Sequence, residues 1–237
     1  MILDPSQNNL EPLDPSTDPL SKLVVFDRLE VGPVRLEPNR LVSPYRLFYS
    51  ETKTESDLIY KYEERVFEPD QLDSVNLATM IGAQVALNYG LFCRRIIFHG
   101  AVDNIDQQFI RLMMENTSRE IFVKKFLEPN PFLLEGVKAM PLQVRDTYTQ
   151  AEIEFPDATS EIDPDMWRVW PVDKRNISVL SSGGKDSLLS FGLLSELSGK
   201  STSKSVREVH PIFCNESGRH WFTALNAYRH FRDHVPN

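Results

Sequence analysis

The spacing of apolar and polar positions divides the chain into a strand-rich text, a helical text, a breaker-rich connector and a short alternating tail. From Leu23 to Phe67 the apolar residues come in short runs broken by turn formers. Leu23-Val24-Val25-Phe26 and Val34-Arg35-Leu36 flank Gly32-Pro33, and Glu37-Pro38-Asn39 makes the next break. Leu41 to Tyr49 and Leu58 to Val66 follow, separated by the polar stretch 50–57. Such runs predict three or four antiparallel strands. Tyr45, Tyr49, Tyr60 and Tyr62 lie on them, and packing is the expected role of aromatics at strand spacing. Asn76 to Phe92 has helical length and is apolar on most sides (Leu77, Met80, Ile81, Val85, Leu87, Leu91), which predicts a buried helix.

Arg94 to Phe98 reads as a strand ending on His99-Gly100. Ile105, Phe109, Leu112 and Met113 then fall at i, i+4, i+7 and i+8, one face of a helix capped by Asp103 or Asn104. A further helix is expected from Ser118, carrying Ile121, Phe122 and Phe126. Residues 128–173 hold Pro129, Pro131, Pro141, Pro156, Pro164 and Pro171 among acidic residues, the text of a connector. Trp167 and Trp170 are expected to pin its end onto the next domain. At the other end, Leu3-Asp4-Pro5-Ser6 recurs as Leu13-Asp14-Pro15-Ser16, which predicts a disordered leader over residues 1–20.

After the connector, Ile177-Ser178-Val179-Leu180 predicts a strand, and Leu188, Leu189, Phe191, Leu194 and Leu197 predict a helix. Val209 to Cys214 is a second strand, and Arg219 to His234 a helix with Phe222, Leu225, Tyr228 and Phe231 inward. This βαβα order implies a parallel sheet, with ligands at the carboxyl ends of its strands. Both polar loops, 181–187 and 215–218, fall at those ends.

Composition narrows the classes. The chain of 237 residues is 41% hydrophobic and 25% charged, which suits a globular protein with a sizeable core. A formal net charge of −8 argues against a broad nucleic-acid or anionic-membrane surface. Cys93 and Cys214 sit in apolar runs and read as buried thiols, with no metal-type pairing. The N-terminus lacks the basic and apolar regions of a secretory signal, and no apolar run approaches the ~20 residues of a spanning helix. A cytoplasmic location is the resulting expectation.

The candidate chemistry is concentrated in Ser181-Ser182-Gly183-Gly184-Lys185-Asp186-Ser187, between a strand and a helix. A glycine turn before a helix is a phosphate cradle: its N–H groups converge, and the helix N-terminus adds unpaired donors. The common P-loop spacing is absent, because Val179 stands where its first glycine belongs and Asp186 where its Ser or Thr belongs. Helix capping is the plainer reading, but two glycines, three hydroxyls, a lysine and an aspartate exceed what a cap requires.

Ser182 to Ser187 resembles the SGGxDS signature of the PP-loop ATP pyrophosphatases, matching all its fixed positions in the strand-to-helix context. The resemblance implies that residues 174–237 are the first part of a doubly wound, Rossmann-like parallel-sheet domain; the patterning before it reads as an α+β domain at 21–150 and a linker at 151–173. It implies ATP cleaved between the α and β phosphates, with adenylylation of a carboxyl or carbonyl oxygen on a small-molecule substrate. Ser181, Ser182, Gly183, Gly184 and Ser187 would hold the phosphates. Lys185, at the family's variable position, would neutralise charge, and Asp186 would hold Mg²⁺. By the same resemblance Asn215, Glu216 and Ser217 would help hold the adenosine. The text around the loop is also similar to that of the muramoyl-dipeptide glutamate epimerases and the cyano-deazaguanine synthases. A PP-loop domain has five strands, and the 64 residues from Lys174 to Asn237 suffice for two strands and two helices. The sequence therefore predicts a domain completed by a C-terminal half or a second chain.

Other groups read more plainly. His99 at a strand end has the position of a general base, but sequence assigns it no acidic partner, so a packed or surface histidine is expected. Glu63-Glu64 reads as a solvated pair. His230 and His234 have the i, i+4 spacing of metal ligands, yet HExxH is absent, and with His220, Arg219, Arg229 and Arg232 they read as a polar helix face. Two other functions stand beside the adenylylating enzyme: a non-catalytic nucleotide sensor and a tRNA-modifying PP-loop enzyme, the latter disfavoured by the acidic charge.

Overall fold

The computed structural model describes residues 18–128, 130–138, 140–141, 145–158, 173–199, 206–213 and 218–234. The chain divides into two compact units, with the boundary between Arg168 and Val169. Among the described residues there are four α-helices, and none is long and apolar enough to cross a membrane.

The first unit is built on a six-stranded mixed sheet. Its strands are β1 (Phe26–Val31), β2 (Arg35–Glu37), β3 (Arg40–Tyr49), β4 (Thr52–Lys61), β5 (Cys93–Phe98) and β6 (Glu152–Glu154). β4 runs antiparallel along the whole of β3, and β2 and β1 pair antiparallel with different parts of β3. β1, β5 and β6 are parallel to one another, with Leu29 opposite Ile96 and Ile96 opposite Ile153. Parallel neighbours need long crossovers. Here the chain supplies α1 (Leu72–Ala83) before β5 and α2 (Asn104–Phe122) between β5 and β6.

The core lies between the sheet and these helices. Leu29, Val31, Ile96 and Phe98 from the strands meet Ala83, Ala86, Leu87, Ile110 and Met114 from the helical side. Each fully buried Leu or Ile of this set contributes about 2–3 kcal/mol. The alternate strand positions carry charge: Arg28 pairs with Glu30, Arg46 with Glu55 and Arg95 with Glu154, while the Arg28 guanidinium sits 4.0 Å over the Phe48 ring. A second cluster (Leu20, Leu23, Leu91, Phe122, Phe126, Met140) packs the 3₁₀ turn Pro19–Leu23 onto the end of α2.

Several expectations shift in this unit. Residues 1–17 of the leader lie outside the described residues, but Asp18, Pro19 and Leu20 are docked. Asp18 caps the 3₁₀ turn through the Leu20 N–H and takes both Arg145 guanidinium nitrogens. Glu152–Glu154, read as the start of a linker, is a strand of the sheet. The polar stretch 50–57, read as a break, lies mostly inside β4, an edge strand exposed on nearly every residue. α2 is one helix where two were expected, and it buries Ile110, Met114, Ser118 and Phe122. Ile105 and Leu112, of the apolar face read from sequence, are 75% and 57% exposed. Cys93 is buried, as read, which pushes its thiol up to about 12. Cys214, Trp167 and Trp170 lie outside the described residues.

The second unit has a two-stranded parallel sheet, β7 (Asn176–Ser181) and β8 (Glu208–Phe213), with Ser181 opposite Phe213. α3 (Lys185–Gly199) joins them and α4 (Gly218–His234) follows. The two helices meet where the Phe191 and Phe231 rings lie 4.6 Å apart, with Phe213 of β8 6.2 Å from Phe231. Ile177, Val179 and Ser181 alternate with the exposed Ser178 and Leu180, so the sheet has a covered and an uncovered face. Of the apolar residues expected inward, Leu188, Leu189 and Leu197 on α3 and Phe222 and Tyr228 on α4 are exposed, whereas Phe191 is buried; Ala224, not among those expected, is buried as well.

Candidate functional site

The glycine turn lies where its sequence implied, between the carboxyl end of β7 and the first residue of α3. β7 delivers Ser181, 6% exposed, to the base of the turn. Gly183 has φ +78°, the left-handed region that an L side chain enters at a cost of about 1–2 kcal/mol. A Cβ there would also stand 2.9 Å from Thr223 Cγ2 and 3.2 Å from the Thr223 carbonyl oxygen. Two independent reasons therefore require glycine at 183: its backbone angle and the close approach of α4. A Cβ on Gly184 would meet only Ser182 Oγ, at 3.4 Å, so that side of the turn is open.

The serines divide into two roles. The Gly183 N–H donates to Ser181 Oγ (3.2 Å), Ser181 to Ser187 Oγ (3.2 Å), and Ser187 to the Gly184 carbonyl (2.9 Å). This chain of bonds consumes the protons of both hydroxyls and locks the shape of the turn. Ser181 and Ser187 thus brace the cradle from inside, a role that the motif alone does not separate from phosphate contact. Ser182 is exposed, as are Lys185 and Asp186 in the first turn of α3.

The first helical hydrogen bond runs from the Leu188 N–H to the Gly184 carbonyl (3.1 Å). The N–H groups of Lys185, Asp186 and Ser187 precede it and have no acceptor within the helix. They belong to the first turn of α3, which follows Gly184 directly, and the side chains of Ser182 and Lys185 on either side of the glycine pair are exposed. Backbone donors, a helix N-terminus and one mobile cation fit a phosphate group. Asp186 fits as one ligand of a Mg²⁺ whose remaining ligands are phosphate oxygens and water, the usual arrangement for that ion. Among the described residues no three His, Cys, Asp or Glu side chains converge to hold a metal by themselves. Asn215, Glu216 and Ser217 lie outside the described residues.

Elsewhere, the His230 and His234 rings stack 4.4 Å apart, and His234 Nδ1 donates to the His230 carbonyl one helical turn back (3.0 Å). That stacking is a polar helix surface. His99 differs from its sequence reading: Nδ1 lies 3.2 Å from Asp157 Oδ2, a partner 58 positions along the chain. Thr223 and Asp157 are the two neighbours that sequence reasoning missed, and no local pattern marks either. Tyr45 is buried and donates to the Gly82 carbonyl, and Tyr62 packs edge-on to Phe67, so both serve packing. Comparison with known protein families, curated proteins and solved structures finds no match to this chain.

Proposed function

We propose that the second unit binds Mg-ATP at the Ser182–Ser187 turn and uses it to adenylylate a carboxyl or carbonyl oxygen of a small-molecule substrate, as PP-loop ATP pyrophosphatases do. One observation carries the reading. The serine relay and the left-handed Gly183 hold the turn at the carboxyl end of β7, directly before the α3 N–H groups that have no acceptor within the helix. In this proposal β7 and β8 are two strands of a doubly wound sheet.

The N–H groups of Lys185, Asp186 and Ser187, with the Ser182 hydroxyl, grip the β and γ phosphates. Lys185 offsets their charge. Mg²⁺ held through Asp186 would neutralise the departing pyrophosphate. The acceptor oxygen attacks the α-phosphorus, the bond to the bridging oxygen breaks, and pyrophosphate leaves with that electron pair. The turn's part in this is positioning and electrostatic stabilisation of the leaving group. The resemblance to glutamate epimerases and cyano-deazaguanine synthases makes a carboxylate the first acceptor to try, in an epimerase- or ligase-type reaction.

Calorimetric titration of Mg-ATP into the full chain tests the site. Lys185→Ala and Asp186→Ala remove exposed side chains and leave the relay intact, and each is expected to weaken binding about tenfold, as for a lost charge-assisted contact. Gly183→Val is expected to abolish binding, because it strains the turn and pushes on Thr223. A folded chain with no ATP binding, or with binding that none of the three variants changes, sinks the proposal. Binding without pyrophosphate formation from any carboxylate assigns the turn to a nucleotide sensor. Formation of ADP and phosphate contradicts the α-phosphorus chemistry.

A further inference from the structure

The first unit contains a second chemically equipped position, at the carboxyl ends of its three parallel strands. β1 runs out at Val31, β5 at Phe98 and β6 at Glu154, side by side. The residues that follow them are Gly32, His99 and, three residues after Glu154, Asp157. The His99 N–H donates to the Val31 carbonyl (2.9 Å), which extends the ladder past the end of β5. Gly32, at φ +83°, lies so close that a Cβ would stand 2.5 Å from the His99 carbonyl oxygen. On the other side, Asp157 Oδ2 accepts from His99 Nδ1 (3.2 Å) and from the Gly100 N–H (3.3 Å).

The loop beyond His99 is held as firmly. Gly100 has φ +124° and packs against Thr79 of α1, and the Asn76 amide donates to the Ala101 carbonyl (3.0 Å). Asp103 and Asp106 are engaged in the reciprocal capping box that starts α2. The backbone on both sides of the imidazole is therefore preorganised by contacts from two strands and two helices.

A carboxylate only accepts, so the imidazole carries its proton on Nδ1 and presents Nε2 as a lone pair. Among the described residues no hydrogen bond or ion pair involves Nε2, and the side chain is 27% exposed. The other histidines with described side chains lack this combination. His210 meets Glu208 of its own strand through Nε2, and His230 and His234 stack along one helix.

We propose that His99 and Asp157 form a proton-transfer dyad, with Nε2 as the working atom and a hydroxyl, amine or water of a small polar substrate as the proton donor. The donor's X–H bond breaks, its electron pair stays on X, and the proton moves to Nε2. The imidazolium is stabilised by Asp157 and returns the proton to a leaving group or to water. Nothing in this step involves the nucleotide turn, so it stands or falls separately from ATP binding.

Diethyl pyrocarbonate acylates neutral imidazole, and peptide mass spectrometry of the full chain, without nucleotide, resolves the rate at each histidine. His99 is expected to react faster than His210, whose side chain is 53% exposed. Asp157→Asn is expected to slow His99 about tenfold, the usual effect of losing an orienting carboxylate, and to leave His210 unchanged. Asp157 is itself half exposed, so the variant is expected to fold. Long-range proton–nitrogen NMR of the unaltered chain gives a second reading, with His99 Nε2 expected to be unprotonated. A slower His99 than His210, an unchanged rate in Asp157→Asn, or an Nε2–H tautomer overturns the dyad and leaves a strand-end tie.

Discussion

Each unit has a sheet face that its helices leave bare, and the two faces are finished in opposite ways. In the first unit the bare positions of β1, β3, β5 and β6 carry Arg28, Glu30, Arg46, Arg95 and Glu154, paired with one another or with Glu55. In the second unit the bare positions of β7 and β8 include Leu180, 74% exposed, and Ile212, 41% exposed. Exposed ion pairs contribute at most about 1 kcal/mol each, so the charged lattice adds little stability. What it does is make a sheet face compatible with water. Leu180 forgoes most, and Ile212 a smaller part, of the roughly 2–3 kcal/mol that full burial of each would contribute. The large apolar cluster of the first unit lies on its covered side, although Val42, Pro44 and Ile97 are buried at alternate positions as well. The second rests on a few aromatic contacts, and two paired strands give little stability by themselves.

The largest test of this contrast is in the cores. Ile96→Ala empties a fully buried position between β1 and β6, and is expected to cost about 3 kcal/mol. Phe191→Ala deletes more atoms, but from a core with few buried side chains around it, and about 2 kcal/mol is expected, below the roughly 3–5 of a tightly packed phenylalanine. Denaturant titration read by hydrogen exchange at β5 and β7 amides separates the units. A larger loss for Phe191→Ala would mean that the second core is as tightly packed as the first.

Next in size is the tie between Asp18 and Arg145, whose side chains are 11% and 12% exposed. The Arg145 guanidinium, hydrogen-bonded to Asp18, holds its carboxyl below the usual range against the opposing effect of burial. A depressed carboxyl stabilises the fold above its ordinary value of about 3.9, and that share is lost as pH falls through the folded value. Arg145→Ala is expected to cost about 2 kcal/mol at pH 7, less than the roughly 3–5 of a fully buried pair. It should also flatten the pH dependence of stability below about pH 4. A variant with the same acid-side slope as the parent would show that another carboxylate governs it. Glu115 is the one to examine then: burial pushes its carboxyl up, but the Thr149 and Tyr148 N–H groups outweigh it and hold it low.

The smallest effects concern the bare faces themselves. A double-mutant cycle on Arg95 and Glu154 is expected to give a coupling under about 1 kcal/mol. Leu180→Thr with Ile212→Thr is expected to change stability by no more than about 0.5 kcal/mol while reducing binding of a hydrophobic dye. A loss of several kcal/mol in that double variant would mean that the two side chains are covered, and the contrast between the faces would disappear.

The sequence was most readable where structure is local. The run Ile177–Leu180, the glycine pair and the helical leucines place a strand, a turn and a helix, because a few neighbouring residues decide each. A helix cap at Asp103 or Asn104, which the structure gives to Asp103, and the strand read from Arg94 to Phe98 are local in the same way. The first part of β4, 52–57, escaped because an edge strand with both faces in water has no alternation to show, whereas its end falls within the run read as a strand from Leu58. β6 escaped because three residues among prolines carry no period, and only the ladder with β5 makes them a strand.

What the chain determined by itself, then, is the type of most elements and the glycine turn for which we propose phosphate binding, through backbone preferences that act over a few residues. Which apolar stripe faces inward was a tertiary decision. α2 has two stripes, and the position of β1 and β5 beneath it selected Ile110 and Met114 over Ile105 and Leu112. The partnership of His99 with Asp157, and of Gly183 with Thr223, was decided at the same level. Pairing across 58 and 40 positions depends on which strand and helix ends the packed core brings side by side, and that is a property of no single stretch of the chain.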